Sequence, residues 1–485
     1  MNTSNSDTKH ESAYYDEKAP SLNLEDGDLK RSLKSRHLSM IAIGGTIGTG
    51  LFLGSGGSIH TAGPGGALVA YALIGIMVFF LMTSLGEMAA YMPISGSFNT
   101  YASRFVDPAL GFALGWNYWF SWSITVAVEL AAASVIMSFW LPNFPSWVWS
   151  LVLLAIMIGF NALSVKGYGE SEYWFALIKV LTVIVFIIVG IVFICTRKGD
   201  DAALYGPSNF TYGEAPFKDG VLGVVQVFLI AGFSFQGTEI VGVTAGESEN
   251  PQRDVPRAVK QVFWRILLFY ICAITVLGMI VRYDNPNLLS GDVESIAESP
   301  FTTVFKLIGF APATHLMNAI VLLTLLSAGN SGVYAATRTL WVLANEDKAP
   351  KFLKRVSRNG IPLFALAFTA LISCLSFATS LFGNQVVYNW LLNASGITGF
   401  IAWFGISVSH FRFRKAFVAQ GNDIQQLPYR AMFYPFGPIF ATILIIIVIV
   451  GQGYSAFTAS PVDWIGLVAS YLGLFIFIIL YIGSM

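Results

Sequence analysis

A helix needs about 20 apolar residues to cross a bilayer, and apolar runs of that length recur from Met40 to the C-terminus. The pattern predicts an all-α membrane protein with twelve transmembrane helices, near 39–66, 68–92, 109–141, 147–165, 170–196, 221–246, 260–283, 313–345, 361–382, 389–411, 434–454 and 460–482. The short loops between them hold nearly all of the charge, so residues 29–485 read as one membrane domain. Residues 1–28 are polar, rich in Ser, Asn, Asp, Glu and Lys, and contain no apolar core or small-residue cleavage site. They read as a disordered cytoplasmic tail, not as a signal peptide.

Charge gives the orientation. Alternate segments carry Lys30, Arg31, Lys34 and Arg36, then Arg253, Arg257 and Lys260, then Lys348, Lys351, Lys354, Arg355 and Arg358, then Arg412, Arg414 and Lys415. The opposite segments hold chiefly Arg197, Lys198, Lys218, Arg282 and Lys306. This is the positive-inside bias, and it predicts that both termini are cytoplasmic in a multi-pass cell-membrane protein. Asp284, Asp292, Glu294 and Glu298 follow the seventh helix on the outer side. An acidic mouth attracts cationic substrates, although charge on a loop also serves simply to solvate it.

Composition narrows the classes further. Only 12% of the residues are charged and the formal net charge is zero. That excludes a soluble surface and the basic face that nucleic acid requires. Cys195, Cys272 and Cys374 have neither disulfide nor metal spacing. Gly48-Thr49-Gly50 lacks the lysine of a phosphate loop, and no nucleophile–base pattern is present. Nothing calls for an enzyme or a cofactor.

Two helices look broken at matching places. The first holds Gly44-Gly45-Thr46-Ile47-Gly48-Thr49-Gly50, and the sixth holds Ala231-Gly232-Phe233-Ser234-Phe235-Gln236-Gly237-Thr238-Glu239. Glycine costs a helix up to about 1 kcal/mol relative to Ala, so both should unwind. Glycines also serve close helix packing, but interruptions in corresponding positions of two halves point to an inverted-repeat transporter with a midplane site. Where the first helix resumes, free N–H groups and the positive dipole end suit a carboxylate. Where the sixth stops, orphan carbonyls suit an ammonium. Together they suit the zwitterion common to all free amino acids.

Ionisable residues at membrane depth are functional candidates: Glu87, Glu129, Lys179, Glu239 and Arg338. Glu87 and Arg338 lie near inner helix ends, where they serve structure or gating as readily as binding. Glu129 and Glu239 are expected to face the central cavity. Burial of Lys179 disfavours its charged form and makes it a proton-carrier candidate, with snorkelling as the plainer alternative. Trp116, Tyr118, Trp119, Ser121 and Trp122 cluster on the third helix, where Tyr118 and Trp122, four apart, share a face and can flank an aliphatic or cationic chain.

These landmarks resemble the amino acid-polyamine-organocation superfamily of bacterial and fungal amino-acid permeases, and most of all its lysine-carrying members. The resemblance rests on HLSMIAIGGTIGTGLFLGSG from His37, AGPGGAL from Ala62, GEMAAYMPISGSF from Gly86 and GFALGWNYW from Gly111. GYGESEYWFALIKV from Gly167, FSFQGTEIVGVTAGESENP from Phe233, GNSGVYAATRTLW from Gly329 and SHFRFRKAF from Ser409 extend it. It implies five helices plus an inverted five, two extra helices, and alternating access. It implies that Thr46, Gly48, Thr49 and Gly50 hold the substrate carboxylate, that carbonyls of Ile43, Phe233, Ser234 and Gln236 hold the amine, and that Phe233 is the gate. Ser121 and Glu129 then read the side chain, with Asn393 and Ser395 as further candidates. The lysine-carrying members can have an aspartate in place of Glu129. Lys179 matches the lysine that replaces a bound sodium ion, so proton symport follows, with the ammonium bridging Gly44 and Ile47 to Ser327 or Ser331 and Glu129 or Glu239 as the next proton carrier. The expected function is import of a free amino acid, L-lysine foremost. A permease or exchanger for another amino acid, or a membrane amino-acid sensor, is the alternative.

Overall fold

The computed structural model describes residues 36–37, 39–40, 47–94, 96–163, 165–196, 205–289, 299–309, 311–357 and 360–485. The tail 1–28, Ile43, Gly44 and Thr46, and the loop acids Asp292, Glu294 and Glu298 lie outside the described residues. Among the described residues every regular element is a helix. In order they are α1 (Thr49–Phe52), α2 (Gly54–Tyr91), α3 (Ser97–Phe105), α4 (Pro108–Ser138), α5 (Ser146–Leu163), α6 (Val165–Thr196), α7 (Gly220–Phe235), α8 (Ile240–Thr244), α9 (Pro251–Arg265) and α10 (Ala273–Ile280). There follow α11 (Pro286–Leu289), α12 (Pro300–Leu307), α13 (Ala311–Asn345), α14 (Leu363–Ser373), α15 (Thr379–Phe382), α16 (Asn384–Ala419), α17 (Phe436–Gly451), α18 (Tyr454–Thr458) and α19 (Trp464–Ser484). Ten helical stretches among the described residues are long and apolar enough to cross a membrane, and Ser146–Ala162 is a shorter apolar helix.

Element ends differ from the hydropathy reading for identifiable reasons. α2 is 38 residues long, but its helical geometry breaks at Gly63 (φ +73°), immediately before Pro64. Proline suits a first helical turn because its missing N–H would be unsatisfied there anyway, so the bend falls there and not at 66–68. α9 and α10 are joined through a π-helical stretch at Ile266–Cys272 and run on as Pro251–Ile280, starting nine residues before the expected 260. The first turns of α9, Pro251-Gln252-Arg253-Asp254, are polar, and a hydropathy average passes over them. α3 is amphipathic and was hidden in the same way.

Outward faces are apolar throughout. Leu181, Val185, Ile188 and Val192 of α6 are exposed, as are Ile443, Ile446 and Ile447 of α17 and Val468, Phe475, Ile479 and Ile482 of α19. The polar groups are turned inward, the inverse of a water-soluble protein, and lipid is the solvent those faces fit. Packing against hydrocarbon provides no hydrophobic drive between helices, so close contact and buried hydrogen bonds hold them. α4 is the central post, packed along both α13 and α16, while α2 packs along α7. Asn117 Nδ2 of α4 donates to Thr398 O of α16 at 2.8 Å, and Trp119 Nε1 donates to Thr369 Oγ1 of α14 at 3.1 Å. Asn161 Nδ2 of α5 donates to Asn330 Oδ1 of α13 at 2.7 Å. Interhelical bonds of this kind average about 0.6 kcal/mol each.

Buried ion pairs tie the segments that the charge bias leads one to expect on the inner side. Glu87 of α2 accepts from Arg414 of α16, Nη2 at 2.6 Å, and from the backbone N–H of Ala431 at 2.5 Å. Glu247 accepts from Arg338 Nε of α13 at 3.3 Å. Of the two readings given to Glu87 and Arg338, these contacts favour the structural one.

Candidate functional site

The second broken helix is explicit in the backbone. α7 ends at Phe235, Gln236 leaves the helix with ψ 145°, and α8 starts only at Ile240. Gly237 has φ +91°, left-handed backbone that a side chain disfavours. At the first break, Gly48 is extended (φ −143°, ψ −145°) and α1 begins at Thr49 with no side-chain cap. Its first N–H groups therefore have no partner within the helix. A Cβ at Gly48 would stand 2.8 Å from Glu129 Oε1 and 2.9 Å from Ala328 Cβ, so only glycine permits this approach to α4 and α13.

The two breaks meet around one small void. Gly48, Thr49 and Gly50 line it from α1, Trp122, Thr125 and Glu129 from α4, Phe233 and Gln236 from the end of α7, and Ala328 from α13. Its volume of about 20 Å³ is room for one water-sized body, far less than an amino acid needs. Glu129, 3% exposed, accepts a short hydrogen bond from Thr49 Oγ1, and the Thr49 backbone N–H also faces its carboxylate. A carboxylate thus already sits at the N-terminus of α1, chemistry this terminus suits. A larger groove of about 600 Å³ lies between α6, α12 and α13. Its walls are almost wholly apolar, so it lacks the convergent polar groups of a site for a zwitterion.

Other sequence candidates fall near the void without lining it. Ser234 Oγ pairs with Tyr71 Oη at 3.1 Å, and Ser234 O accepts from Tyr270 Oη at 2.5 Å. Ser395 Oγ pairs with Thr125 Oγ1 at 2.6 Å, and Ser395 O accepts from Gln236 Nε2 at 3.3 Å. Ser121 is buried with its carbonyl accepting from Thr125 Oγ1, and Asn393 is half-buried on α16. Tyr118 stands edge-on to Trp122 with centroids 6.2 Å apart.

Glu239, expected to face the cavity, is not among the residues that line this void. Its carboxylate accepts from the Gly237 N–H at 3.1 and 3.0 Å, from Trp403 Nε1 at 3.1 Å and from Tyr118 Oη at 3.4 Å. A carboxylate beside an unwound turn finds backbone donors at once, and here they draw it into the break.

Lys179 is fully buried on α6, and Glu129 is near enough for each to feel the other's charge. Lys179 Nζ lies 3.8 Å from Glu172 Oε1, which accepts from Ser327 Oγ of α13 at 2.7 Å. Ser331 Oγ accepts from Tyr168 Oη at 3.2 Å. Glu172 escaped the sequence reading because no acid adjoins Lys179. The available signal was a spacing of seven residues, two helical turns, which puts both on one face. Thr125 and Ala328 escaped as well, being small and common in apolar helices.

The amino acid permease family matches residues 37–485. Lysine-specific permease LysP of Escherichia coli (strain K12) is 56% identical over 456 residues, covering 94% of this chain and 93% of that protein. The protein of the same name from Lactococcus lactis subsp. cremoris (strain MG1363) is 52% identical over 94% of this chain and 89% of its own length. Histidine permease HisP of that organism is 49% identical, covering 94% of each chain.

Proposed function

The chain belongs to the amino acid permease family, and on that premise we propose that it imports L-lysine by proton symport with alternating access. Twelve spans in a five-plus-five inverted repeat with two added helices, and cytoplasmic termini, complete the proposal. The observation that carries it is the meeting of α1's first N–H groups, the end of α7 and the acid Glu129 around one void. The α-carboxylate of the substrate takes the N–H groups of Thr49 and Gly50, displacing Glu129 from Thr49. The α-ammonium takes carbonyls freed where α7 stops, and the displaced Glu129 answers the side-chain ammonium. Because the void is small, Phe233 and Glu129 must move to admit the substrate, as a gate and its latch do. Protonated Lys179 ties α6 to its neighbours in one phase of the cycle and releases them on losing its proton.

The two lysine-specific relatives support lysine as the substrate. A single acid holds a compact ammonium more readily than a planar guanidinium, which needs a wider fork of acceptors. The test is uptake of radiolabelled lysine into proteoliposomes under an imposed proton gradient without sodium, with every other amino acid as competitor. Gradient-driven accumulation, with arginine competing about tenfold less well, equivalent to about 1.4 kcal/mol, is the expected result. No response to the proton gradient would sink the coupling, and equal competition by arginine would sink the selectivity. The histidine permease relative favours a second reading, carriage of histidine or exchange. Stronger competition by histidine, or uptake that requires internal amino acid, would establish it.

A further inference from the structure

Glu172 has no part in substrate recognition as described above, yet it is among the most enclosed acids in the chain. Both Glu172 and Lys179 have side chains that are 0% exposed. One oxygen of Glu172 is fixed to α13 by the Ser327 hydroxyl at 2.7 Å, and the other is buried without a hydrogen-bond partner, with Ser331 alongside. At 3.8 Å the Lys179 ammonium is within ion-pair range of Glu172 and beyond a good hydrogen bond. An ionised carboxylate in a dry interior needs a compensating charge. Lys179 is the cation facing it, from two turns along the same helix.

Tyr168 on α6 and Ser327 and Ser331 on α13 adjoin Glu172, while Glu129 on α4 and Arg265 on α9 act on Lys179. The two carboxylates that reach Lys179 belong to different partnerships, Glu172 with α13 and Glu129 with Thr49 of α1.

We propose that Glu172 is a positioning residue for proton coupling: anchored to α13 by Ser327, it holds the protonated Lys179 ammonium between α6 and α13. This rests on the proton-symport reading. Glu172 neither touches substrate nor carries the transported proton; it keeps its charge and stabilises the ammonium form of Lys179. Loss of the Lys179 proton leaves Glu172 uncompensated and loosens the α6–α13 contact.

The experiment compares Glu172→Gln, Ser327→Ala and Lys179→Ala with the unaltered protein in proteoliposomes. The readouts are lysine uptake driven by a proton gradient across external pH, and lysine-induced thermal stabilisation in detergent. Glu172→Gln should move the pH of half-maximal uptake toward acid by about one unit, the tenfold bias that a neighbouring charge supplies. Lysine-induced stabilisation should survive, since the residues around the void are untouched. Ser327→Ala should shift the profile in the same direction by less. A purely structural Glu172 would lower uptake at every pH without moving the profile, and that result overturns the proposal. Should Glu172→Gln not insert, the Ser327→Ala profile decides, and an unshifted profile overturns it. Lys179→Ala separates the two levels. If it accumulates lysine normally, the coupling role of Lys179 fails and the proposal fails with it. If it does not, and Glu172→Gln behaves as the unaltered protein, only the role of Glu172 fails.

Discussion

Glu129 and Glu239 are both buried acids beside a broken helix, and their surroundings make them different objects. Glu239 accepts from a backbone N–H, an indole and a phenol, so its oxygens are enclosed by donors of its own neighbourhood. Glu129 is held by Thr49 and otherwise borders the void. What separates a staple from a ligand is therefore how many donors are already committed to the carboxylate, not its depth or its nearness to a break. Glu239 fixes the unwound turn after α7, and the proposed function has Glu129 exchange Thr49 for the substrate.

That contrast breaks most readily at Glu239. Glu239→Ala strands the Gly237 N–H, the Trp403 indole and the Tyr118 hydroxyl, a loss of about 3 kcal/mol. A thermal melt in detergent should show severe destabilisation, and a melt like that of the unaltered protein would return Glu239 to the cavity. Glu129→Gln should do the reverse. Lysine affinity measured by scintillation proximity should fall about tenfold, close to 1.4 kcal/mol, with little change in the melt. Equal affinity would remove Glu129 from recognition. Gly237→Ala sharpens the staple further, since φ +91° becomes strained, and a cost of about 1 kcal/mol is expected in the same melt. The smallest effect belongs to an exposed pair. Asp347 accepts from Lys354 at 2.8 Å, which holds its carboxyl below the usual carboxylate range. A lowered carboxyl stabilises above its ordinary range and loses that contribution as pH falls through the folded value. Because water screens this pair, Lys354→Ala should leave the melting temperature and its pH dependence unchanged within error.

How much of this was legible in the sequence follows from the same physics. The apolar runs and the two glycine-rich breaks were plain, because lipid and unwound backbone leave a mark on composition. Gly48, Thr49, Gly50, Trp122, Glu129, Phe233 and Gln236, all named from sequence, do come together. The orientation of Glu239 was not legible, since it depends on Trp403, far along the chain, and on how Gly237 turns. Glu172 was half legible, its spacing from Lys179 visible and its tie to Ser327 not. Short amphipathic helices such as α3 were lost to averaging over a long window.

The bend at Gly63 has a mechanical consequence. Gly66 N donates to Pro216 O and Lys218 N donates to Ala62 O, both at 3.0 Å, so the elbow of α2 is stitched to the segment that leads into α7. Two rods pinned together near one end cannot swing independently there. Under the alternating access proposed above, any tilt of one would carry the other, leaving differential motion to the far sides of the unwound turns. Under that proposal the elbow is a shared axle, and the breaks at Gly48 and Gly237 are the joints that would turn about it.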